Sequence, residues 1–310
     1  MKSALIYDSK TVSLFSERKH SENRQLIRPN HFMNQLELTQ VLKDAFAEDI
    51  GMGDLTTESI FPKTQMGKGV YTSKANGVLA GLNAISAGYQ LLDPNAIITL
   101  HKKDGDSVDK GDVIAEVGAS ISALLTGERV ILNLIQHLGG IASATHEVIQ
   151  LLNDPSITVT DTRKTLPALR SLQKYAVRCG GGKNHRFRLD DGVMIKDNHI
   201  KAAGSIQKAV EMVRKRIGHM VKIEIETETR AQVEEAIEAK ADIIMLDNRS
   251  PEEVKKLRSF IPNHIVVEVS GGITPKNIAD YKGCGADVIS LGWLTHSVKA
   301  LDISFNLVSK

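Results

Sequence analysis

VKIEIETETRAQVEEAIEAKADIIMLDNRSPEEVKKLRSFIPNHIVVEVSGG, residues 221–272, holds three apolar strand-like runs with a helical segment between each successive pair. The runs VKIEIE, DIIMLD and IVVEVS close on Glu226, Asp247 and Ser270. Between the second and third, Ser250-Pro251 with Glu253 is a helix start: a capping hydroxyl, a proline at the first helical position and a capping-box glutamate. The rhythm extends outward. ITVTD closes on Asp161, VMIK on Lys196 and DVISLG on Gly292, and Thr274-Pro275 opens a last helix in the same way. Strands alternating with helices, roughly 20 to 35 residues between closing positions, read as an α/β chain with a parallel sheet, most economically a (β/α) barrel. A barrel of this kind gathers the C-terminal strand ends, so Asp161, Lys196, Glu226, Asp247, Ser270 and Gly292 meet around one mouth.

The chemistry expected at that mouth is read from the stretches DTRKT (161–165) and GGGKNHRFRLDDGVMIKDNH (180–199). They bring Arg163, Lys164, His185, Arg186 and Lys196, with Arg178 and Arg188 adding to the charge. Basic runs are commonly solvated helix faces, but here glycines interrupt the run and Lys196 ends a strand, where a cation is held rigidly. Such a set suits a small, strongly anionic substrate. SGG (270–272) and SLG (290–292) end two consecutive strands and suit a phosphate held by backbone N–H groups. Strand alternation turns Lys222, Glu224 and Glu226 to the barrel interior, and Glu268 with Ser270. Buried charges need partners, so Glu224 and Glu268 are expected in an ion pair with Lys222 or another internal cation. Glu226 and Asp247 lie nearest the mouth.

The rest of the chain bounds the answer. Its 310 residues are 42% hydrophobic and 25% charged with a formal net charge of +2, a soluble globular balance without the basic excess of a nucleic-acid binder. Cys179 and Cys284 are the two cysteines, which fits a reducing, cytoplasmic setting and excludes a disulfide scaffold. No secretory signal is visible, and the longest uncharged run, 75–92, is too polar to span a bilayer. Residues 1–33 read as a weakly structured extension, with Met33 as an alternative start. A helix is expected from Leu36 to Asp49 and a turn over EDIGMGDLTT (48–57). Short β-like runs fill 68–118 around Asp104-Gly105 and Lys110-Gly111-Asp112. DGDSVDKGDVIAEV resembles a lipoyl or biotinyl carrier, yet Lys74 precedes the turn it should follow, so a small β-rich domain is the simpler reading. A long helix over 120–138, broken at Gly139-Gly140, and a second over 141–152 complete the first half. Arg129 lies in the first of them, where neighbouring Glu128 does not meet it on the helix surface. His137 and His146 read as structural or solvent-facing.

EDIGMGDLTT, GERVILNLIQHLGGIA, DTRKTLPALR, GGGKNHRFRLDDGVMIKDNH, IEIETET, IIMLDN, VEVSGGIT and DVISLGWLTHS, in this order over residues 34–310, resemble the quinolinate phosphoribosyltransferase family. The resemblance implies a type II phosphoribosyltransferase-like architecture. An N-terminal α/β sandwich domain (34–130, with the tail 293–310 returning to it) precedes an open seven-stranded (β/α) barrel (131–292). It implies phosphoribosyl transfer from phosphoribosyl pyrophosphate to quinolinate with loss of CO2, giving nicotinate mononucleotide and pyrophosphate in NAD biosynthesis. It implies a homodimer, or a higher oligomer, whose partner supplies Arg129 to join Arg163, Lys164, His185 and Arg186 around the quinolinate carboxylates, with Thr162 also among the substrate-binding residues. Lys196 serves both substrates, Glu226 and Asp247 hold ribose hydroxyls and Mg2+, and Ser270, Gly271, Gly272, Ser290 and Gly292 hold phosphate. Of these, Lys164, Lys196, Glu226 and Asp247 take the catalytic part. Gly139, where the family often has serine, and the amino-terminal extension are departures. A Schiff-base lyase built on Lys196, and a sister transferase acting on nicotinate, compete with this reading.

Overall fold

A computed structural model describes residues 33–308. Most of the expected extension, 1–32, lies outside the described residues, while Met33 is buried. The chain opens with α1 (Gln35–Ile50), capped by Asn34, whose side chain accepts from the Leu36 and Glu37 amides. The expected turn at 48–57 gives way at its end to a short helix, α2 (Leu55–Ile60). Asp54 supplies the reason: its carboxylate accepts from Thr57 N–H at 3.0 Å and from the Thr126 hydroxyl at 3.0 Å.

The β-like runs become β1 (Met66–Ser73), β2 (Gly77–Val78), β3 (Ile97–Leu100), β4 (Ser107–Val108) and β5 (Val113–Ser120), and α3 (Asn83–Leu92) interrupts them. Gly105 and Gly111 take positive φ at the expected turns. After the long helix α4 (Ile121–Leu152), the second half reads β6 (Thr158–Thr160), α5 (Arg170–Cys179), β7 (Val193–Ile195), α6 (Asp197–Ala203), α7 (Ile206–Arg214), β8 (Ile223–Thr227), α8 (Arg230–Glu238), β9 (Ile243–Asp247), α9 (Pro251–Arg258), β10 (Val266–Ser270), β11 (Val288–Ser290), α10 (Trp293–His296) and β12 (Ile303–Leu307). Ser250, Pro251 and Glu253 start α9 as their pattern predicts. Thr274-Pro275 does not open an α-helix. Asn277 accepts from Thr274 N–H at 2.7 Å and donates to Gly272 C=O at 3.1 Å, which ties the segment to the SGG turn and leaves only a 3-10 helix at Ile278–Tyr281.

Two sheets carry the fold. The first is antiparallel, in the order β12-β1-β5-β3, so the last strand returns to pair with the first along Gly69↔Leu307 to Ser73↔Ile303. Helices α1, α3 and α4 cover it through Leu38, Leu42, Ile85, Leu124 and Ile131. The second is parallel, in the order β6-β11-β10-β9-β8-β7. A seventh strand position is marked by Lys183, which forms one parallel bridge to Thr160 on the free side of β6. One face of this sheet is apolar: Val159, Ile225, Ile244, Leu246, Val267, Val269 and Ile289 are buried in the second hydrophobic cluster. The other face carries Glu224, Glu226, Asp247, Glu268, Ser270 and Ser290. In register, Asp247 lies beside Ser270, Ser270 beside Ser290 and Ser290 beside Thr160, which sets four strand ends level.

Helix α4 runs unbroken for 32 residues through Gly139-Gly140 and contributes to both cores, with Ile131 and Leu138 in the first and Val148 and Leu152 in the second. The expected break does not occur because these glycines admit a neighbour rather than end a helix. A Cβ on Gly140 would stand 2.3 Å from the Lys299 carbonyl oxygen and 3.0 Å from Ala300 Cα, and one on Gly139 would meet Leu301. The returning tail therefore crosses α4 at backbone distance, and Leu301 N–H donates to Gln136 C=O at 2.9 Å. This gives a signed expectation. Replacing a helical glycine by alanine normally stabilises by up to ~1 kcal/mol, whereas Gly140→Ala should destabilise by ~1–3 kcal/mol through overpacking. Urea unfolding of the two proteins decides it, and a more stable Gly140→Ala would remove the close-approach argument.

Candidate active site

The level strand ends open into a cavity of about 680 Å3. It is lined by Thr162, Arg163 and Lys164 after β6, by His185 and Arg186, by Lys196 after β7, by Glu226 and Asp247 at the ends of β8 and β9, and by Ser270, Gly271, Gly272 and Ser290. A larger groove, about 840 Å3, lies between α1 and α5, but its charges are mixed and no strand end reaches it. Chemistry, not size, selects the first.

The loop after β6 is short and braced. Lys164 N–H donates to Thr162 Oγ1 at 3.0 Å, and the Thr295 hydroxyl donates to Lys164 C=O at 2.8 Å. Arg163 and Lys164 stay exposed. Gly292 does not line the cavity; a Cβ there would sit 2.8 Å from Lys164 Cδ, so its part is to clear space for the lysine. Lys196 precedes α6, and its Nζ lies 2.6 Å from Glu226 Oε2 across the opening. Asp247 Oδ2 accepts from Asn248 Nδ2 at 2.6 Å. Burial raises the Asp247 carboxyl above the usual carboxylate range; Glu226 adds to the rise and Lys196 opposes it. Gly271 and Gly272 both take positive φ, and a Cβ on Gly271 would meet Asn248 Oδ1 at 2.2 Å. Only glycine fits there, and the bare backbone of the pair faces the cavity.

The His185 side chain is mostly buried. Its Nε2 is 3.2 Å from Glu224 Oε2 and 3.4 Å from Glu268 Oε1, so the internal cation for these two acids is His185. Lys222 is exposed at the start of its strand and does not turn inward as alternation suggests. Burial on its own would lower the imidazole pKa, but the hydrogen bonds and charges of Glu224 and Glu268 outweigh it and raise the group to about 10. The imidazole is a fixed cation at neutral pH. Among the described residues, these three are the group whose ligand-capable atoms lie within 4.8 Å of one another, and the contacts are those of an imidazolium between two carboxylates. Arg186 Nη1 donates to Gly192 C=O at 2.7 Å while its buried Nε has no protein partner.

Besides Gly292, four expected members are absent from the cavity. Asp161 is fully buried, turned behind the strand end into an ion pair with Lys174, because a carboxylate in the core needs a cation and α5 supplies one. Arg178 binds the Asn184 side chain instead, at 2.8 Å. Arg188 is largely exposed, with Glu37 at 3.9 Å. Arg129 stands exposed on α4 and does not line the cavity. Three lining residues were not expected. Met194 and Met245 share the inward parity of Glu224 and Glu226 and could have been read from it; Asn248, one past the strand end in the left-handed region, could not.

Two family models match successive parts of the chain: "Quinolinate phosphoribosyl transferase, N-terminal domain" matches residues 54–139 and the corresponding C-terminal domain matches residues 141–306. A probable nicotinate-nucleotide pyrophosphorylase [carboxylating] of Bacillus subtilis is 53% identical over 89% of this chain and 95% of its own length. One from Synechocystis is 41% identical over 86% and 91%. Among solved structures, NadC from Streptococcus pyogenes superposes with a TM-score of 0.86 at 41% identity, covering 90% of this chain and 99% of that one. With two domain models in order and relatives this similar over nearly their whole length, the chain belongs to the quinolinate phosphoribosyltransferase family.

Proposed function

We infer that the chain transfers the phosphoribosyl group of phosphoribosyl pyrophosphate to quinolinate and releases CO2, forming nicotinate mononucleotide and pyrophosphate in de novo NAD biosynthesis. The observation that carries this is the composition of one cavity: five cationic side chains face two carboxylates and a paired-glycine turn. Two very anionic substrates need that excess of positive charge, and an oxocarbenium-like ribose needs the acids. The ring nitrogen attacks C1 of the ribose, and the C1–O bond electrons leave with pyrophosphate. The bond to the 2-carboxylate then breaks, its electron pair stays on the new pyridinium ring, CO2 departs, and a proton from solvent fills the position. No nucleophilic side chain is required; orientation and charge placement do the work.

We assign Arg163, Lys164, His185 and Arg186, with Thr162, to the quinolinate carboxylates. Lys196 stands between the two substrates. Glu226 and Asp247 take the ribose hydroxyls and magnesium; as oxygen ligands on neighbouring strands they suit a cation that keeps several waters and phosphate oxygens. When bound, magnesium neutralises charge on the pyrophosphate. Ser270, Gly271, Gly272 and Ser290 receive phosphate. Lys196 and Glu226, already ion-paired, argue for a cation serving as a cation rather than for a Schiff-base amine. Arg129 lies outside its own chain's cavity, and we propose a homodimer in which a second copy supplies it. The division into a sandwich domain (34–130 with 293–310) and a catalytic domain (131–292) is part of the same proposal, supported by the pairing of β12 with β1. With two free, buried cysteines, we place the protein in the cytoplasm. No helix among the described residues is long and apolar enough to cross a membrane.

The direct assay is quinolinate, phosphoribosyl pyrophosphate and magnesium with the purified protein. CO2 and nicotinate mononucleotide are the expected products; turnover of nicotinate but not quinolinate rejects the assignment. Arg163→Ala should weaken quinolinate binding by ~1.5–3 kcal/mol, the loss of a charged hydrogen bond, with little change for the sugar phosphate. Asp247→Ala should do the reverse, and isothermal titration with each ligand separates the two. Mixing inactive Arg129→Ala with inactive Arg163→Ala should restore activity, because the mixed dimer holds one site with both arginines. Failure of mixed subunits to regain turnover, once exchange is verified, places Arg129 in its own chain's site. The titration of His185 has a definite sign: quinolinate affinity should not weaken as pH passes 6.5, the ordinary histidine value, and should decline only on approach to about 10.

A further inference from the structure

Helix α5 presents basic residues at Arg170, Lys174 and Arg178, a spacing of four that stacks them along one face. Each holds a different point of the segment Asn184–Phe187. Arg178 Nη1 donates to Asn184 Oδ1 at 2.8 Å, Lys174 Nζ to the His185 carbonyl at 2.9 Å, and Arg170 Nη1 to the Phe187 carbonyl at 2.9 Å. The rungs run in reverse order, so segment and helix lie antiparallel. Lys174 is fully buried, ion-paired with the equally buried Asp161, and 5.1 Å from the Phe187 ring centre. Asp161 returns to the same segment, accepting from His185 N–H at 2.9 Å and from Asn184 Nδ2 at 2.6 Å. None of these four charged residues lines the cavity, whereas His185 and Arg186 do.

We propose that this ladder of Arg170, Lys174 and Arg178, closed by Asp161, is the positioning element of the dicarboxylate subsite, holding His185 and Arg186 where quinolinate is received. It rests on the functional reading above. The segment has no regular structure and is flanked by Gly180, Gly181, Gly182 and Gly192, so its backbone would otherwise lose entropy each time a ligand bound. Burying the Lys174–Asp161 pair is costly unless its remaining protons and lone pairs find partners, and the partners are the Asn184 side chain and the His185 backbone. The sugar-phosphate side of the cavity, on β8 to β11, has no rung on α5.

The test is steady-state kinetics of Arg170→Ala, Arg170→Lys and Lys174→Met against wild type, with thermal unfolding run alongside. Arg170 is only partly buried, so its variants keep the question open should Lys174→Met fail to fold. Arg170→Ala should raise the quinolinate KM about tenfold, with the phosphoribosyl pyrophosphate KM moving less than about twofold. Arg170→Lys, which still carries a donor that can reach the Phe187 carbonyl, should recover part of the loss. Parallel rises in both KM values, or an unmoved quinolinate KM with only a lower Tm, overturn the ladder. Wild type that does not turn over quinolinate at all sinks the functional reading instead, so the two failures are distinguishable.

Discussion

Charge removed from water must find a partner of opposite sign, and the inner face of the parallel sheet is built around that requirement. Four ionisable side chains, Asp161, Lys174, Glu224 and Glu268, are nine-tenths or more buried. They resolve into two clusters. Asp161 with Lys174 lies behind the end of β6; Glu224 and Glu268 meet His185 on the polar face of the parallel sheet. Burial pushes the Asp161 and Glu224 carboxyls up and the Lys174 ammonium down, and in each cluster the opposite charge pulls back. Removing one partner of such a pair costs ~3–5 kcal/mol, so each cluster constrains the backbone that carries it. His185 belongs to both: its ring joins the acids of β8 and β10, and its backbone joins Asp161 and Lys174. One residue thus ties the polar face of the sheet to the wall of the cavity.

The first half of the chain has a different constraint, which is close approach. Gly139 and Gly140 on α4 let the returning tail cross at backbone distance, and a Cβ on Gly69 would stand 2.0 Å from the Phe305 ring. Phe305 in turn packs on Tyr71 with ring centres 4.8 Å apart. The tail then pairs with β1, while Thr295, just before it, holds the Lys164 carbonyl in the cavity loop. Tail docking and cavity loop are therefore linked through one short stretch, 292–307, in which Gly292 also clears the space Lys164 occupies.

The parallel sheet was legible because its signal is local. Apolar runs, proline starts and closing polar residues recur within windows of a few residues, and Lys196, Glu226, Asp247 and Ser270, four of the six strand-closing residues, line the cavity because strand ends converge by topology. What was not legible depended on contacts distant in sequence. Gly139-Gly140 reads as a helix stop until Lys299 and Ala300 are known to lie against it. Asp161 reads as a mouth residue because strand position places it there; only the arrival of Lys174 from the next helix shows that it faces the core. Arg178 reads as more substrate charge, whereas its guanidinium holds the protein's own Asn184 side chain. Asn248 carried no pattern at all, since its place follows from a left-handed backbone and the turn of a neighbouring strand.

The two central cations of the cavity differ in kind, and the difference bears on how the proposed reaction runs. His185 is held by two acids, Glu224 and Glu268, that do not line the cavity. Lys196 is half-exposed and pairs with Glu226 alone, an acid we assign to ribose and magnesium. Under the proposed assignment, binding of the sugar phosphate would draw Glu226 away from Lys196, and the freed ammonium would need a new anion nearby. A quinolinate carboxylate on Arg163, His185 and Arg186 would supply one. In that proposal the fixed cation selects the dicarboxylate, and the mobile one couples the two halves of the cavity at the point where the new bond forms.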